Sequence, residues 1–379
     1  MRVFVLDTYY PAFLAAHYRR HPELAVRGYD EQLAALMDQC FGTSDAYSRN
    51  LRELGHEAIE VVANCEALQL RWAHEQGYSR PALRRLGAAL PGRAGFLARR
   101  ALLRRIALEQ IDAYDPQVVY LQDLWFLQNR DLDTLRRAGR LVAGQISSVL
   151  PGEPMLRRFG LLLTSFPHFL ERFHALGLDG EYLKIAFDAN VLQRLRNLGV
   201  DADPAAVREH AVAFVGGLGR KAWGAGTRVL ERVVEEVGLE VWGYGADALP
   251  RTSPIWSTYH GEAWGLEMYE VLARSRLVLN RHGEIAEGYA NNMRLYEATG
   301  VGALLLTEAG RNLSELFEPG REVVAYESED DLVEQLRHYL DHDDERLRIA
   351  AAGQARTLRE HTYAHRIADL SAMLEARLR

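Results

Sequence analysis

Polar and ionisable side chains are densest between residues 280 and 298, in the run Asn280-Arg281-His282-Gly283-Glu284-Ile285-Ala286-Glu287-Gly288-Tyr289-Ala290-Asn291-Asn292-Met293-Arg294-Leu295-Tyr296-Glu297-Ala298. An apolar strand pattern, Leu277–Leu279, enters the run and a helical pattern leaves it. Polarity this concentrated between buried elements points to binding. Asn291, Asn292 and Arg294 fall at the helix start, where unpaired backbone amides favour an anion. Glu297 lies a turn further on and can accept two hydroxyl hydrogen bonds of the kind a ribose offers. His282, just past the strand, is either a satisfied structural histidine or a donor to charge developing on a departing phosphate.

A second candidate is the turn Gly216-Gly217-Leu218-Gly219-Arg220-Lys221 between a strand and a helix. Glycines let the backbone approach a phosphate, the helix start favours an anion, and Arg220 and Lys221 can add charge-assisted bonds. The spacing is neither the Rossmann nor the Walker pattern, and a plain tight turn with solvated cations has the same appearance. A third is the aromatic stretch from Thr8-Tyr9-Tyr10-Pro11 to Tyr47, with His17, Tyr18 and Asp45, read as a long loop facing an acceptor. Asp123, just after the run Val118–Leu121, points the same way and is a candidate base. A fourth is the acid-free series Arg80, Arg84, Arg85, Arg93, Arg99, Arg100, Arg104 and Arg105, with Phe96, Leu97, Leu102, Leu103 and Ile106 interleaved. A basic amphipathic helix of this kind can rest on an anionic membrane; a solvated face or an anionic acceptor accounts for the same run.

The elements that position these residues alternate between short apolar runs and longer amphipathic segments, the pattern of parallel α/β units. In the first half the strands are expected at Val3–Leu6, Ala58–Val62, Gln117–Leu121, Leu141–Ile146 and Gly160–Ser165, with helices at Asp45–Leu54 (capped by Ser44) and Leu102–Ala113. The polar stretch Asn190–Glu209 reads as an interdomain linker. Strands then resume at Ala211–Val215, Leu239–Trp242, Leu277–Asn280, Ala303–Thr307 and Glu322–Tyr326. Helices through Val229–Glu236 and at Leu266–Ala273, Met293–Thr299, Leu332–Leu340, Asp344–Arg359 and Ala364–Leu378 complete the half. Two doubly wound halves imply a cleft, with ligands at the carboxyl ends of strands.

The 379 residues suit two domains, and a net charge of −7 argues against a nucleic-acid partner. The two cysteines, Cys40 and Cys65, fit neither a disulfide framework nor a zinc site. No window reaches the roughly 18 apolar residues of a membrane span. A soluble, cytoplasmic protein is the expectation.

The run from Glu287-Gly288-Tyr289 through Leu295-Tyr296-Glu297-Ala298-Thr299-Gly300 to Gly302-Ala303 resembles the signature of glycosyltransferase family 4 and its retaining relatives. Phe214-Val215-Gly216-Gly217, Trp242-Gly243-Tyr244-Gly245, Tyr259-His260-Gly261-Glu262 and Leu279-Asn280-Arg281-His282 resemble successive landmarks of that domain. Asn280-x-His282, Asn292-x-Arg294-x-x-Glu297-Ala298 and His361-Thr362-Tyr363-x-x-Arg366 are most similar to CgeB-like, spore-maturation glycosyltransferases. The resemblance covers residues 211–370 and departs from the pattern once: nine residues separate Glu287 from Glu297, and Tyr289 stands at the usual spacing.

The resemblance implies a GT-B fold, two Rossmann-like doubly wound domains facing a cleft. Residues 1–195 would form the acceptor side, with the helix 364–379 packing back on it, and 210–363 the nucleotide-sugar domain. It implies transfer of a hexose, with retention and no obligatory metal, from a UDP- or GDP-linked donor to a glycan, protein or lipid-linked acceptor. Glu297 would hold the ribose, and Asn291, Asn292 and Arg294 would meet the diphosphate. Gly216, Gly217 and Gly219 would pass beside it, with Gly243, Tyr244, Tyr259 and His260 towards the base. Arg220, Lys221, Arg294 and His282 would stabilise the leaving group. Glu287 would lie near the sugar, with Glu284 as its rival, and Asp123 would serve the acceptor. Peripheral membrane contact would run through 80–105. A nucleotide-sugar epimerase and a non-catalytic binding protein of coat assembly are the alternatives.

Overall fold

The computed structural model describes residues 1–78, 92–218 and 220–379, with backbone alone for 220–225. The chain divides into two compact units, Met1–Leu183 with Ile367–Arg379, and Lys184–Arg366.

The first unit is built on β1 (Arg2–Asp7), β2 (Glu57–Val62), β3 (Val118–Leu121), β4 (Leu141–Gln145), β5 (Leu161–Thr164) and β6 (Gly180–Tyr182). They form one sheet in the order β2-β1-β3-β4-β5-β6, and every pairing is parallel. Val3, Phe4, Val5 and Leu6 are fully buried, as expected where helices cover both faces of a parallel sheet. The chain leaves β1 for β2 on one side and returns to β3 on the other. The winding therefore reverses between β1 and β3, and Asp7 and Asp123 stand at that carboxyl edge.

The aromatic stretch expected as a loop is instead helical, at Pro11–Arg20, Pro22–Val26 and Tyr29–Met37. Pro11 begins the first helix at a position where its missing N–H costs nothing. Phe13 stacks on Phe41 at 4.1 Å, and Tyr9 meets Phe41 edge-on at 5.0 Å, so these rings are core. Ser44 does not cap the helix Ala46–Glu53; its backbone is left-handed (φ 48°) and its hydroxyl donates to the Met37 carbonyl at 2.7 Å. The basic helix is far longer than expected, Gly92–Tyr114. Arg80, Arg84 and Arg85 lie outside the described residues.

The helix Tyr363–Leu378 closes the chain, and its residues from Ile367 count with the first unit. There Ser371 meets His56 at 2.7 Å, and Arg377 donates to Asp179 at 2.6 Å and Glu181 at 2.9 Å.

The second unit carries β7 (His210–Gly217), β8 (Glu240–Tyr244), β9 (Ser275–Asn280), β10 (Leu304–Glu308) and β11 (Val324–Tyr326), ordered β11-β10-β9-β7-β8 and again parallel. Leu277, Leu279, Leu304 and Leu306 anchor a core that includes Val212, Val233 and Leu336. Here the reversal falls between β7 and β9. The stretch 190–209, expected as a linker, is built into this unit. It contains the helix Asn190–Asn197, and the buried Arg208 guanidinium donates to the carbonyls of Asp203, Ala273, Ser275, Val301 and Gly302 at 2.6–3.2 Å.

Gly216 and Gly243 face each other across β7 and β8. A Cβ on Gly243 would lie 2.0 Å from the Gly216 carbonyl oxygen, so that pairing admits no side chain there. Replacing Gly243 by Ala should force the strand ends apart and destabilise this unit by about 1–3 kcal/mol. Scanning calorimetry should show a lower transition, and an unchanged melting curve would refute the steric reading.

Candidate functional site

The carboxyl ends of β7, β9 and β10 bring the polar run together. Asn280 is the last residue of β9 and is buried. Its amide donates to Thr307 Oγ1 at 2.9 Å, while its oxygen accepts from Asn292 Nδ2 at 2.8 Å. Asn292 Nδ2 also donates to the Arg281 carbonyl at 2.9 Å, so the segment after the loop is stitched to the strand before it.

Glu308, the last residue of β10, organises the start of the loop that leaves β9. One carboxylate oxygen accepts from Arg281 Nε at 3.2 Å and Nη2 at 3.0 Å; the other accepts from the His282 backbone amide at 2.7 Å. Bonds to a charged acceptor are the stronger kind. The Arg281 guanidinium lies against Gly226 in the helix Arg220–Glu236, where a Cβ would fall 1.5 Å from Nη1. Glycine at 226 is therefore the groove in which Arg281 rests.

His282 Nδ1 accepts from the Asn291 amide at 3.4 Å, which leaves the proton on Nε2 for Thr307 Oγ1 at 3.2 Å. Burial holds its pKa down, to about 4, against the pull of Glu308. The ring is neutral and both nitrogens are engaged within the loop. In this geometry His282 braces the site instead of offering a donor to a ligand.

Arg294 donates to Glu297 at 2.7 Å and to the Val215 carbonyl at 3.0 Å, spanning the end of β7. Glu297 is 6% exposed; its second oxygen accepts from Tyr269 at 3.4 Å. Burial raises the Glu297 pKa while Arg294 lowers it. A buried carboxylate so paired is costly to strip of its partner.

Gly216 and Gly217 end β7, but Gly219 and the side chains of Arg220 and Lys221 lie outside the described residues. At the end of β8, Tyr244 stacks on Trp264 with centroids 5.4 Å apart, and the Tyr259 hydroxyl donates to the Gly243 carbonyl at 2.8 Å. His260 is elsewhere. It stacks on Trp242 at 4.4 Å and pairs with Glu240, which also holds His210, at the amino ends of β7 and β8. Tyr259 and His260, adjacent in an extended segment, face opposite ways. Glu287 is exposed and left-handed (φ 49°), followed by left-handed Gly288 (φ 82°). Such a conformation in a non-glycine residue is strained and concentrates at functional sites. Glu284 is also exposed.

In the first unit, Asp123 accepts from the Thr8 hydroxyl and from the Trp125 amide, each at 2.8 Å. Both its oxygens tie the loops after β1 and β3. The neighbouring carboxyl, Asp7, is pushed up to about 7, first by burial and then by repulsion from Asp123. It is the group of this edge that exchanges a proton near neutrality.

Glu308, Gly226 and Asp7 were not singled out from sequence. A signal existed for two of them: each acid is the last residue of an apolar parallel strand, close to the position that drew attention to His282. Gly226 carries no such mark.

Comparisons with known proteins agree with this layout. Residues 220–372 match the family described as "Glycosyl transferase-like". No curated protein matches the chain. Among solved structures, HepE of Anabaena in complex with UDP-glucose is similar at TM-score 0.58 and 13% identity, covering 99% of this chain and 100% of that one. Sucrose-phosphate synthase from Thermosynechococcus elongatus is similar at 0.60 and 10%, covering 99% and 98%. AviGT4, a glycosyltransferase involved in avilamycin A biosynthesis, is similar at 0.56 and 15%, covering 100% and 98%. The fold is GT-B, and residues 220–372 are similar to a glycosyltransferase-like domain.

Two tests address the site. Glu308→Gln keeps the shape but loses the charged acceptor; hydrogen exchange across 281–292 should accelerate, and stability should fall by about 1.5–3 kcal/mol. Unchanged exchange would remove Glu308 from its organising role. His361, like His282, is held at about 4 by burial, and it is tied to the Leu316 carbonyl and Arg366. The unfolded chain protonates near 6.5 and the folded one only near 4, so stability is full above pH 6.5 and drains as pH falls towards 4. Melting temperatures between pH 7.5 and 4.5 should track that loss, and His282→Asn should flatten it.

Proposed function

We propose that the protein is a metal-independent glycosyltransferase that moves a hexose, with retention, from a UDP-linked donor to an acceptor held by the first unit. The observation that carries this reading is the meeting of the Gly216–Gly217 strand end, the Arg281–Glu308 pair and the Arg294–Glu297 pair at the reversal between β7 and β9, where open parallel sheets bind ligands. HepE, whose structures contain UDP-glucose and UDP, supports UDP over GDP. Retention rests on the resemblance to family 4.

In this reading Glu297 accepts the ribose hydroxyls on lone pairs left by Arg294 and Tyr269, and the Tyr244–Trp264 stack flanks the base. The first amides of the helix Arg220–Glu236, together with Arg281 and Arg294, face the diphosphate. Fixed positive potential there stabilises the charge that develops as the sugar leaves, at no cost in reorganisation. Arg281 is suited to the task because Glu308 and the Gly226 groove hold it in one place. Two guanidinium groups and a helix start supply the charge stabilisation that a metal ion would otherwise provide. Asp7, near neutral in pKa, is the carboxyl best suited to accept a proton from an acceptor hydroxyl.

A panel of UDP-, GDP- and TDP-sugars tests the reading. UDP should bind by calorimetry, UDP-sugar should be slowly hydrolysed, and Glu297→Ala should weaken UDP about tenfold or more, the loss expected for hydrogen bonds to a charged group. Binding of none of the nucleotides would overturn it. Epimer formation without transfer would favour the epimerase, and binding without turnover the non-catalytic alternative.

A further inference from the structure

The helix Gly92–Tyr114 buries one face, Gly95, Leu103, Ile106, Ala107, Gln110 and Ile111, in the first unit. Its other face is unusual for a solvated surface. Phe96 is 56% exposed and Leu97 beside it 54%. Arg93 and Arg100 are exposed as well and share their stripe, since 93, 96, 97 and 100 recur at helical spacing. Arg100 donates to the Trp125 carbonyl, and Trp125 is itself 47% exposed. The patch thus combines two aliphatic or aromatic side chains, an indole and two guanidinium groups.

Charge narrows the occupant. The chain is acidic overall, at −7, yet from Arg93 to Leu108 it has five arginines and no Asp or Glu. Two of the five are neutralised, Arg104 by Asp131 at 3.3 Å and Arg105 by Glu109 at 3.2 Å. Arg93 and Arg100 remain on the apolar face. A soluble anion would have no use for Phe96 and Leu97, and isolated exposed apolar residues are ordinary whereas an adjacent pair amid cations is not. Apolar side chains dipping below a plane while arginines reach its phosphates is the arrangement that an interfacial helix adopts. Tryptophan prefers the same boundary.

We infer that this face docks the protein on an anionic lipid surface. The patch is continuous with the carboxyl edge of the first sheet: Trp125 donates to Asp123, which holds Thr8 next to Asp7. If the transferase reading holds, on which this step alone depends, the acceptor is a hydroxyl carried on a membrane-embedded lipid and delivered to Asp7.

Sedimentation with vesicles tests the docking independently of nucleotide chemistry. The protein should bind phosphatidylcholine vesicles only when phosphatidylglycerol is included, and added salt should release it. R93Q/R100Q should lower partitioning roughly thirty-fold, at about 1 kcal/mol for each cation near the surface. F96S/L97S should lower it about tenfold or more, with melting temperature and UDP binding unchanged. V207S, at a residue 97% exposed in the second unit, should bind as the wild type does. Absence of binding to anionic vesicles would overturn the inference. So would binding that R93Q/R100Q abolishes but F96S/L97S leaves intact, since the face would then recognise charge and no bilayer. Failure of UDP to bind, with vesicle binding preserved, would remove the transferase reading and leave the docking standing.

Discussion

The grip of one carboxylate at the end of β10 governs the second unit's polar edge. Glu308 takes both the Arg281 guanidinium and the His282 backbone amide, and thereby sets where the chain goes on leaving β9. Everything downstream inherits that path. Asn291 can reach the His282 ring, and Asn292 can tie back to Asn280, only because the chain turns where Glu308 holds it. The cost of bringing a cation and an anion to a partly buried edge is offset by the number of bonds that one carboxylate makes. Burial, first of all, keeps His282 neutral; of the pair beside it, Glu308 raises the pKa and Arg281 lowers it.

Backbone proximity is the second constraint. The ends of β7 and β8 approach so closely that the Gly243 position faces the Gly216 carbonyl, and Gly226 opens the helix surface to Arg281. Gly216 looks like part of a phosphate loop in sequence, and part of its work is intramolecular. The strand end is narrow because its neighbours leave it no choice.

Much of this was legible in the sequence, and the reasons for the remainder are local. Continuous apolar runs such as Val3–Leu6 and Leu304–Leu306 announce a buried parallel sheet, because nothing in them alternates. The polar run at 280–298 was legible because packing alone rarely places so polar a loop between buried elements, and it leaves the carboxyl end of β9 as expected. Sequence adjacency to Tyr259 says nothing about which face His260 shows in an extended segment. Asn190–Glu209 looked like a linker because its polarity is high, yet the Arg208 Nη donors reach carbonyls from segments distant in sequence, and those cannot be read along the chain. Glu308 was hidden for a similar reason: its weight comes from β10 lying beside β9, with Thr307 opposite Asn280. The residues of the aromatic stretch were seen but read as a loop, and Pro11 in fact begins a helix.

The return of Ile367–Arg379 to the first unit bears on the order of events during synthesis. The second unit is a continuous stretch, Lys184–Arg366, whereas the first is completed by residues that follow it in sequence. As the chain emerges from the ribosome, the second unit has all its parts before the first does, although the first began earlier. His56 finds Ser371, and Asp179 and Glu181 find Arg377, only after the whole of the second unit has been made. Until then the first sheet must persist without that helix, so a nascent chain stalled after Arg366 would carry one finished domain and one still open to chaperones.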